Sequence, residues 1–331
     1  DNTLMDTVRL GNGWMWDEGP WWYSAPVDPL TLNDNCIDFF VKPGQPDHPA
    51  VIRYRPETTY ITFENRTVTV TDTVDFKPWE ITRDWAAGQN HFVATGEILA
   101  DAEPETVYRN IENPTLFTGQ VLREYLEASG VRVGVVRVDS LSAGEVPVDS
   151  IVSPPLAESI INLLKTSDNL TAELLVKTIG HETGGGKGTW KKGLTAMKVF
   201  FHDSVGIDTT AWRIVDGSGM SRYNLTSPRQ LTQALQYAYR NFTLAAEFQA
   251  ALPTGGWDGT LEHRMQDPLF DRRIRAKTGT LSGATALSGY AFSRRGHPAA
   301  FSIMMNGYVG SSQPYKHLED RICYQILKTI R

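Results

Sequence analysis

From Val51 to Leu99, apolar and polar positions alternate with a period of two. "VIRYRPETTYITFENRTVTVTDTV" and "HFVATGEIL" set β-branched or aromatic residues against polar ones, the mark of half-buried strands. Near Thr115 the period changes. In "TLFTGQVLREYLEASG", Phe117, Val121, Leu122, Tyr125 and Leu126 are spaced for one helical face, and Gly130 is the stop. "VRVGVVRVD" then predicts one more strand. Beyond about residue 155 helical patterns dominate: "LAESIINLLK", "LTAELLVKTI", "TWKKGLTAMKVFFHDS" and "SPRQLTQALQYAYR". In the last, Ser227, Pro228 and Gln230 form a capping box with proline at the first helical position. After Phe270, "RRIRAKTGT", "TALSGYAFS" and "AAFSIMMNGY" predict strands with hairpin-like spacing. Leu318, Ile322, Ile326 and Ile330 then mark a closing helix at steps of four. Helices, antiparallel strands and a terminal helix in that order predict an α+β domain.

The small, proline-rich stretch from Ser142 to Pro155, "SAGEVPVDSIVSPP", is the best candidate boundary and places a domain start close to 150. A chain of 331 residues is longer than one ordinary domain. No apolar run approaches the roughly 18 residues a membrane span needs. Net charge is −6 and lysine and arginine form no long run, so nucleic acid is an unfavoured partner. Cys36 and Cys323 fit neither a disulfide framework nor a metal motif. The sequence opens on Asp1 with no signal-like stretch after it, which predicts a processed or cut product. "NGWMWDEGPWWYSAP" predicts a structural aromatic cluster between domains.

Candidate chemistry centres on "IRAKTGTLSG". A lysine, two hydroxyls and a glycine at the end of an edge strand would make a carboxylate-binding edge: Lys277 for charge, Thr278 and Thr280 for hydrogen bonds, Gly279 for close approach. By itself, the tripeptide is equally an ordinary strand with a solvated lysine. Ser167, Asp168 and Asn169 sit between two helical patterns and read first as a helix N-cap. Together, a Ser-X-Asn on a helix-helix turn and a Lys-Thr-Gly on a strand 110 residues later (277 − 167) match two of the three elements of penicillin-recognising serine acyltransferases.

The likeness extends further. "WWYSAP" with "NDNC", "SDNLTAELL" running into "GTW", "DGSGMSRYN", "GGWDGTL" and "AKTGTLSG" resemble, in order and approximate spacing, the D-alanyl-D-alanine carboxypeptidase/endopeptidases of the low-molecular-mass class C penicillin-binding proteins. The resemblance runs from Gly11 to about Ile330. It implies a transpeptidase-like domain, an antiparallel sheet between helices, interrupted in sequence by β-rich inserted domains. Residues 150–331 would be the catalytic domain without its N-terminal part, residues 26–149 a β-rich insertion, and residues 1–25 the tail of another. The implied activity is penicillin-sensitive D-Ala-D-Ala carboxypeptidase, with D,D-endopeptidase action on peptidoglycan stem peptides, in the periplasm or extracytoplasmic envelope. β-Lactams would be its inhibitors, and no cofactor is implied.

One element departs from the pattern. No serine in the 331 residues has a lysine three places on, so the acylating nucleophile is absent and this chain alone is expected to be inactive. Truncation is the simpler explanation, with an upstream fragment as a partner, and loss of the serine in a homologue without catalysis the second. By resemblance, Ser167 relays a proton to the departing D-alanine nitrogen and Asn169 binds the substrate amide carbonyl. Lys277 holds the site positive, Thr278 and Thr280 receive the carboxylate, and the Thr280 N–H is one oxyanion donor. A non-catalytic peptidoglycan-binding homologue and a β-lactamase or esterase on the same fold are the alternatives. "DGSGMSRYN" would be a loop beside the cleft, with Ser218 or Arg222 as candidate contacts. "GGGKGT" lacks the preceding strand and the terminal hydroxyl of a phosphate loop, and His181, His202 and His263 have no metal-ligand spacing, so no metal is implied.

Overall fold

A computed structural model describes residues 2–140, 144, 146 and 149–330. It divides into two compact units, residues 1–146 and 147–331. Part of the expected boundary, residues 142, 143, 145, 147 and 148, lies outside the described residues.

The first unit is β-rich. Its strands are β1 (Cys36–Lys42), β2 (Val51–Arg55), β3 (Thr62–Asn65), β4 (Val68–Val70), β5 (Glu80–Arg83), β6 (His91–Thr95), β7 (Glu97–Leu99) and β8 (Glu105–Asn110). β1 is the centre of an antiparallel sheet ordered β2-β1-β8, and β6 the centre of a second, ordered β3-β6-β5, with β3 parallel to it. "HFVATGEIL" is two strands, not one. Gly96 breaks it with φ of 91°, and a Cβ there would stand 2.7 Å from the Pro78 carbonyl oxygen. Ile37, Phe39, Ile81, Phe92 and Ile98 form the core under helix α1 (Pro114–Ala128), which contributes Phe117 and Val121. Leu122 and Tyr125 of the predicted face are exposed. The expected strand over 131–139 forms no ladder: the segment is irregular and Val135 is 81% exposed. Alternation alone makes no strand without a partner edge. The aromatic cluster makes its ring contacts inside this unit, Trp16 against Trp85 at 5.4 Å and the Arg109 guanidinium over Trp21 at 4.1 Å.

The second unit begins with helices α2 (Leu156–Thr166), α3 (Asn169–Gly184), α4 (Trp190–Asp203), α5 (Pro228–Arg240) and α6 (Ala245–Ala251). The antiparallel strands β9 (Ile274–Leu281), β10 (Ala284–Phe292) and β11 (Pro298–Asn306) follow in the order β11-β10-β9, and α7 (Gln313–Thr329) closes the chain. The capping box predicted at Ser227 and Gln230 is present. Ile274, Ala276, Leu287, Ala291 and Phe301 pack with Cys323 and Leu327 of α7. The stripe buried on α7 is Glu319, Cys323 and Leu327, one residue on from the predicted stripe, and Leu318 is exposed. Ile326 and Ile330 of the predicted stripe are partly buried against the same core, so the fully buried line lies beside the predicted one.

Candidate active site

Helices α2 and α3 meet at a two-residue turn. Ser167 ends α2 in the left-handed conformation (φ 64°, ψ 48°), and the Asp168 carboxylate caps α3 by accepting from the Thr171 N–H at 3.3 Å. Asn169 is the first residue of α3. Asp168 is therefore the N-cap that the sequence pattern offers, while Ser167 lies outside both helices with its hydroxyl unused by either. Across from it is β9. The Lys277 ammonium donates to Ser167 Oγ at 2.6 Å and to the Thr278 carbonyl oxygen at 2.8 Å. No carboxylate pairs with Lys277 among the described residues, and burial lowers its pKa from 10.5 to about 8.

Among the described residues, the outer edge of β9 is paired only at its start. There Ala276 N–H donates to the Pro253 carbonyl and Gly255 N–H to that of Ile274. Backbone groups of alternate residues face the same edge, so the N–H and C=O of Thr278 and Thr280 are directed to the part left open. The Thr280 N–H thus points where an acceptor can approach. Side-chain alternation sends Lys277 to one side of the strand and both threonines to the other, so the three converge only around this free edge. Thr278 Oγ1 donates to Thr260 Oγ1 at 2.8 Å. Gly279 is exposed, and a Cβ on it would meet only the Ala286 Cβ at 3.7 Å, so the fold itself does not require glycine there.

Two further segments fix this arrangement. In "GGWDGTL", Asp258 accepts from Lys165 Nζ at 2.6 Å, and Lys165 also donates to the Leu252 carbonyl at 2.7 Å. The end of α2 is thereby tied to the segment whose Thr260 holds Thr278. In "DGSGMSRYN", Met220 Sδ lies 3.7 Å from Asn169 Nδ2, and Arg222 donates to the Ser282 carbonyl at 2.8 Å. The loop is held from below by a buried carboxylate. Glu173 accepts from the Trp190 indole at 2.6 Å and from the N–H groups of Gly217 and Ser218, each at 2.8 Å. Burial, with Asp216 nearby, raises its pKa. Lys177, also fully buried, places its ammonium over the Trp190 ring at 3.9 Å.

Ser167, at the α2–α3 turn, and Lys277, on β9, are thus in contact, with Asn169 two residues after Ser167 and Thr278 and Thr280 further along β9. Sequence reasoning missed Thr260, Glu173 and Lys177 as parts of this framework. A Glu and a Lys four apart on a helix read as a solvated pair. Their burial shows in no local pattern.

Residues 1–322 match the D-Ala-D-Ala carboxypeptidase 3 (S13) family. This chain belongs to that family. Among S13 relatives, the D-alanyl-D-alanine carboxypeptidase of an Actinomadura strain is 34% identical over 326 residues, covering 94% of this chain and 59% of that protein. The D-alanyl-D-alanine carboxypeptidase DacB of Haemophilus influenzae is 22% identical over 316 residues, covering 93% and 64%. The chain therefore spans about three fifths of the length of these relatives. The crystal structure of penicillin binding protein 4 from Haemophilus influenzae superposes with a TM-score of 0.82 at 20% identity, covering 99% of this chain and 74% of that one. The fold is the α+β penicillin-binding type, as the resemblance implies. No helix among the described residues is long and apolar enough to cross a membrane.

Proposed function

We propose that this chain carries the substrate-holding part of a serine-type D-Ala-D-Ala carboxypeptidase that also acts as a D,D-endopeptidase on peptidoglycan stem peptides. The observation that carries the reading is the 2.6 Å contact between Lys277 Nζ on β9 and Ser167 Oγ on the α2–α3 turn. Acyl transfer needs a charge to hold the terminal carboxylate, a proton path to the leaving amine and donors for the oxyanion. Lys277, with the Thr280 hydroxyl and a Thr278 hydroxyl whose proton turns from Thr260 to the ligand, receives the carboxylate. Ser167, in hydrogen-bond reach of an amine poised near neutrality, passes the proton, and Asn169 holds the substrate amide. The Thr280 N–H is one oxyanion donor, and Gly279 leaves the strand surface clear for the peptide.

The acylating serine and its lysine are not among the 331 residues. The reading therefore requires a Ser-X-X-Lys from another part of the protein. In this scheme residues 150–331 belong to the transpeptidase-like domain, 26–149 to an inserted domain and 1–25 to the tail of another, in a protein exported to the periplasm or extracytoplasmic envelope. β-Lactams, which mimic the D-Ala-D-Ala terminus, are its expected inhibitors. Full-length protein incubated with a labelled penicillin should gain the mass of one acyl group. An unmodified mass would overturn the proposal.

A further inference from the structure

At the far end of β9 from Thr280 lies an open concavity of about 950 Å³. Arg272, Arg273, Arg275 and Arg294 line it, with Asp271 as its one carboxylate. In a chain of net charge −6 this is a local reversal of sign. None of the four guanidiniums forms an ion pair with a carboxylate among the described residues; the arginine ion pairs found lie elsewhere. Like charges gathered without counter-charges repel one another, and three of the four arginines are held in place by neutral groups.

The holding contacts differ in kind. Arg273 donates to the Leu269 and Phe292 carbonyls and Arg275 to the Gln249 carbonyl at 3.1 Å, so these two are anchored in the rim. Arg272 lies over the Trp257 ring at 3.4 Å, which fixes its plane and leaves its N–H groups unspent. Its backbone, like that of Asp271, is left-handed (φ 57° and 41°), a conformation that costs a non-glycine residue energy. Arg294 is exposed, and its guanidinium makes no hydrogen bond among the described residues. Two guanidinium forks are therefore free to accept a ligand, beside two that keep the local potential positive.

We propose that this concavity is a binding site for phosphoryl oxyanions, either a phosphodiester polymer threaded through it or a small free phosphate compound. Planar guanidinium forks match the paired oxygens of a phosphoryl group, and a cavity of this size takes more than a single ion. The proposal does not depend on the acyl-transfer reading, because none of its residues is used there.

Calorimetric titration of this chain with inorganic pyrophosphate should give saturable one-to-one binding that weakens with added salt. Arg294→Gln, which removes no contact of the folded state, should weaken it roughly tenfold or more, and the double variant with Arg272→Gln further still. Lys187→Ala, on an exposed loop elsewhere, should leave it within about twofold. Tighter binding of poly(glycerol phosphate) than of pyrophosphate at equal phosphate concentration would assign the site to the polymer, and the reverse order to the free anion. Absence of saturable heat with both probes, or equal weakening by Lys187→Ala and Arg294→Gln, would overturn the proposal.

Discussion

Lys277 is a half-buried cation with no carboxylate partner among the described residues, and its titration follows from that. The folded protein gives up this proton at about 8 against an ordinary 10.5. Below about pH 8 both folded and unfolded states hold the proton, and the burial cost is fully present. Between 8 and 10.5 the unfolded state binds more protons, so stability rises with pH across that window. Lys277→Met should therefore be more stable than the parent near pH 7 by on the order of 1–3 kcal/mol. That advantage should shrink as pH approaches 10.5, as measured by denaturant unfolding at a series of pH values. A pH-independent difference would contradict the burial account. On the proposed function, capture of a peptide ending in D-Ala-D-Ala weakens over the same range as the ammonium loses its charge. Ser167 and Lys277 are legible in the sequence as residue types. Their contact is not, since a turn and a strand 110 residues apart meet only through tertiary packing; the family likeness, not periodicity, brought them together. Thr260 gives no signal, because a single hydroxyl after a glycine is ordinary loop chemistry.

Packing between elements sets where the turn stands. Gly193 on α4 faces α3 so closely that a Cβ would lie 1.9 Å from the Val176 carbonyl oxygen. Glu173 on the same helix α3 holds the indole of Trp190 and the loop at 217 and 218. Gly193→Ala must push α4 away from α3. It should destabilise the protein by about 1–3 kcal/mol, read as a lower denaturant midpoint with an unchanged m-value. Unchanged stability would mean that the helices do not approach this closely. At this scale the sequence is informative where local rules decide. The α5 capping box and the three strands from Ile274 to Asn306 follow from cap chemistry and alternation. It misleads where a partner decides, as in the unpaired 131–139 segment and in α7, whose buried stripe is shifted by one residue.

Each of the two units has its own core, and each core holds one cysteine. Cys36 is buried on β1, and Cys323 is buried on α7 with its thiol pushed up to about 12 by burial. Both thiols should resist alkylation in native buffer. In a denaturant series followed by mass spectrometry, Cys36 should label with the unfolding of the first unit and Cys323 with that of the second. Stoichiometric labelling of Cys323 without denaturant would contradict the packing of α7 on the sheet. Chain length and a proline-rich stretch are enough to suggest more than one domain. The division of labour among parts was not readable from composition, because it depends on which segments fold together. The half-open edge of β9 has a consequence for the molecule in crowded solution. Bare strand edges invite copies of a protein to zip together, and charge is a common deterrent. Here the Lys277 ammonium lies against the outward carbonyl of Thr278, so the cation suited to an acid-ended guest also guards the docking rail against other strands. Neutralising position 277 would leave that rail sticky.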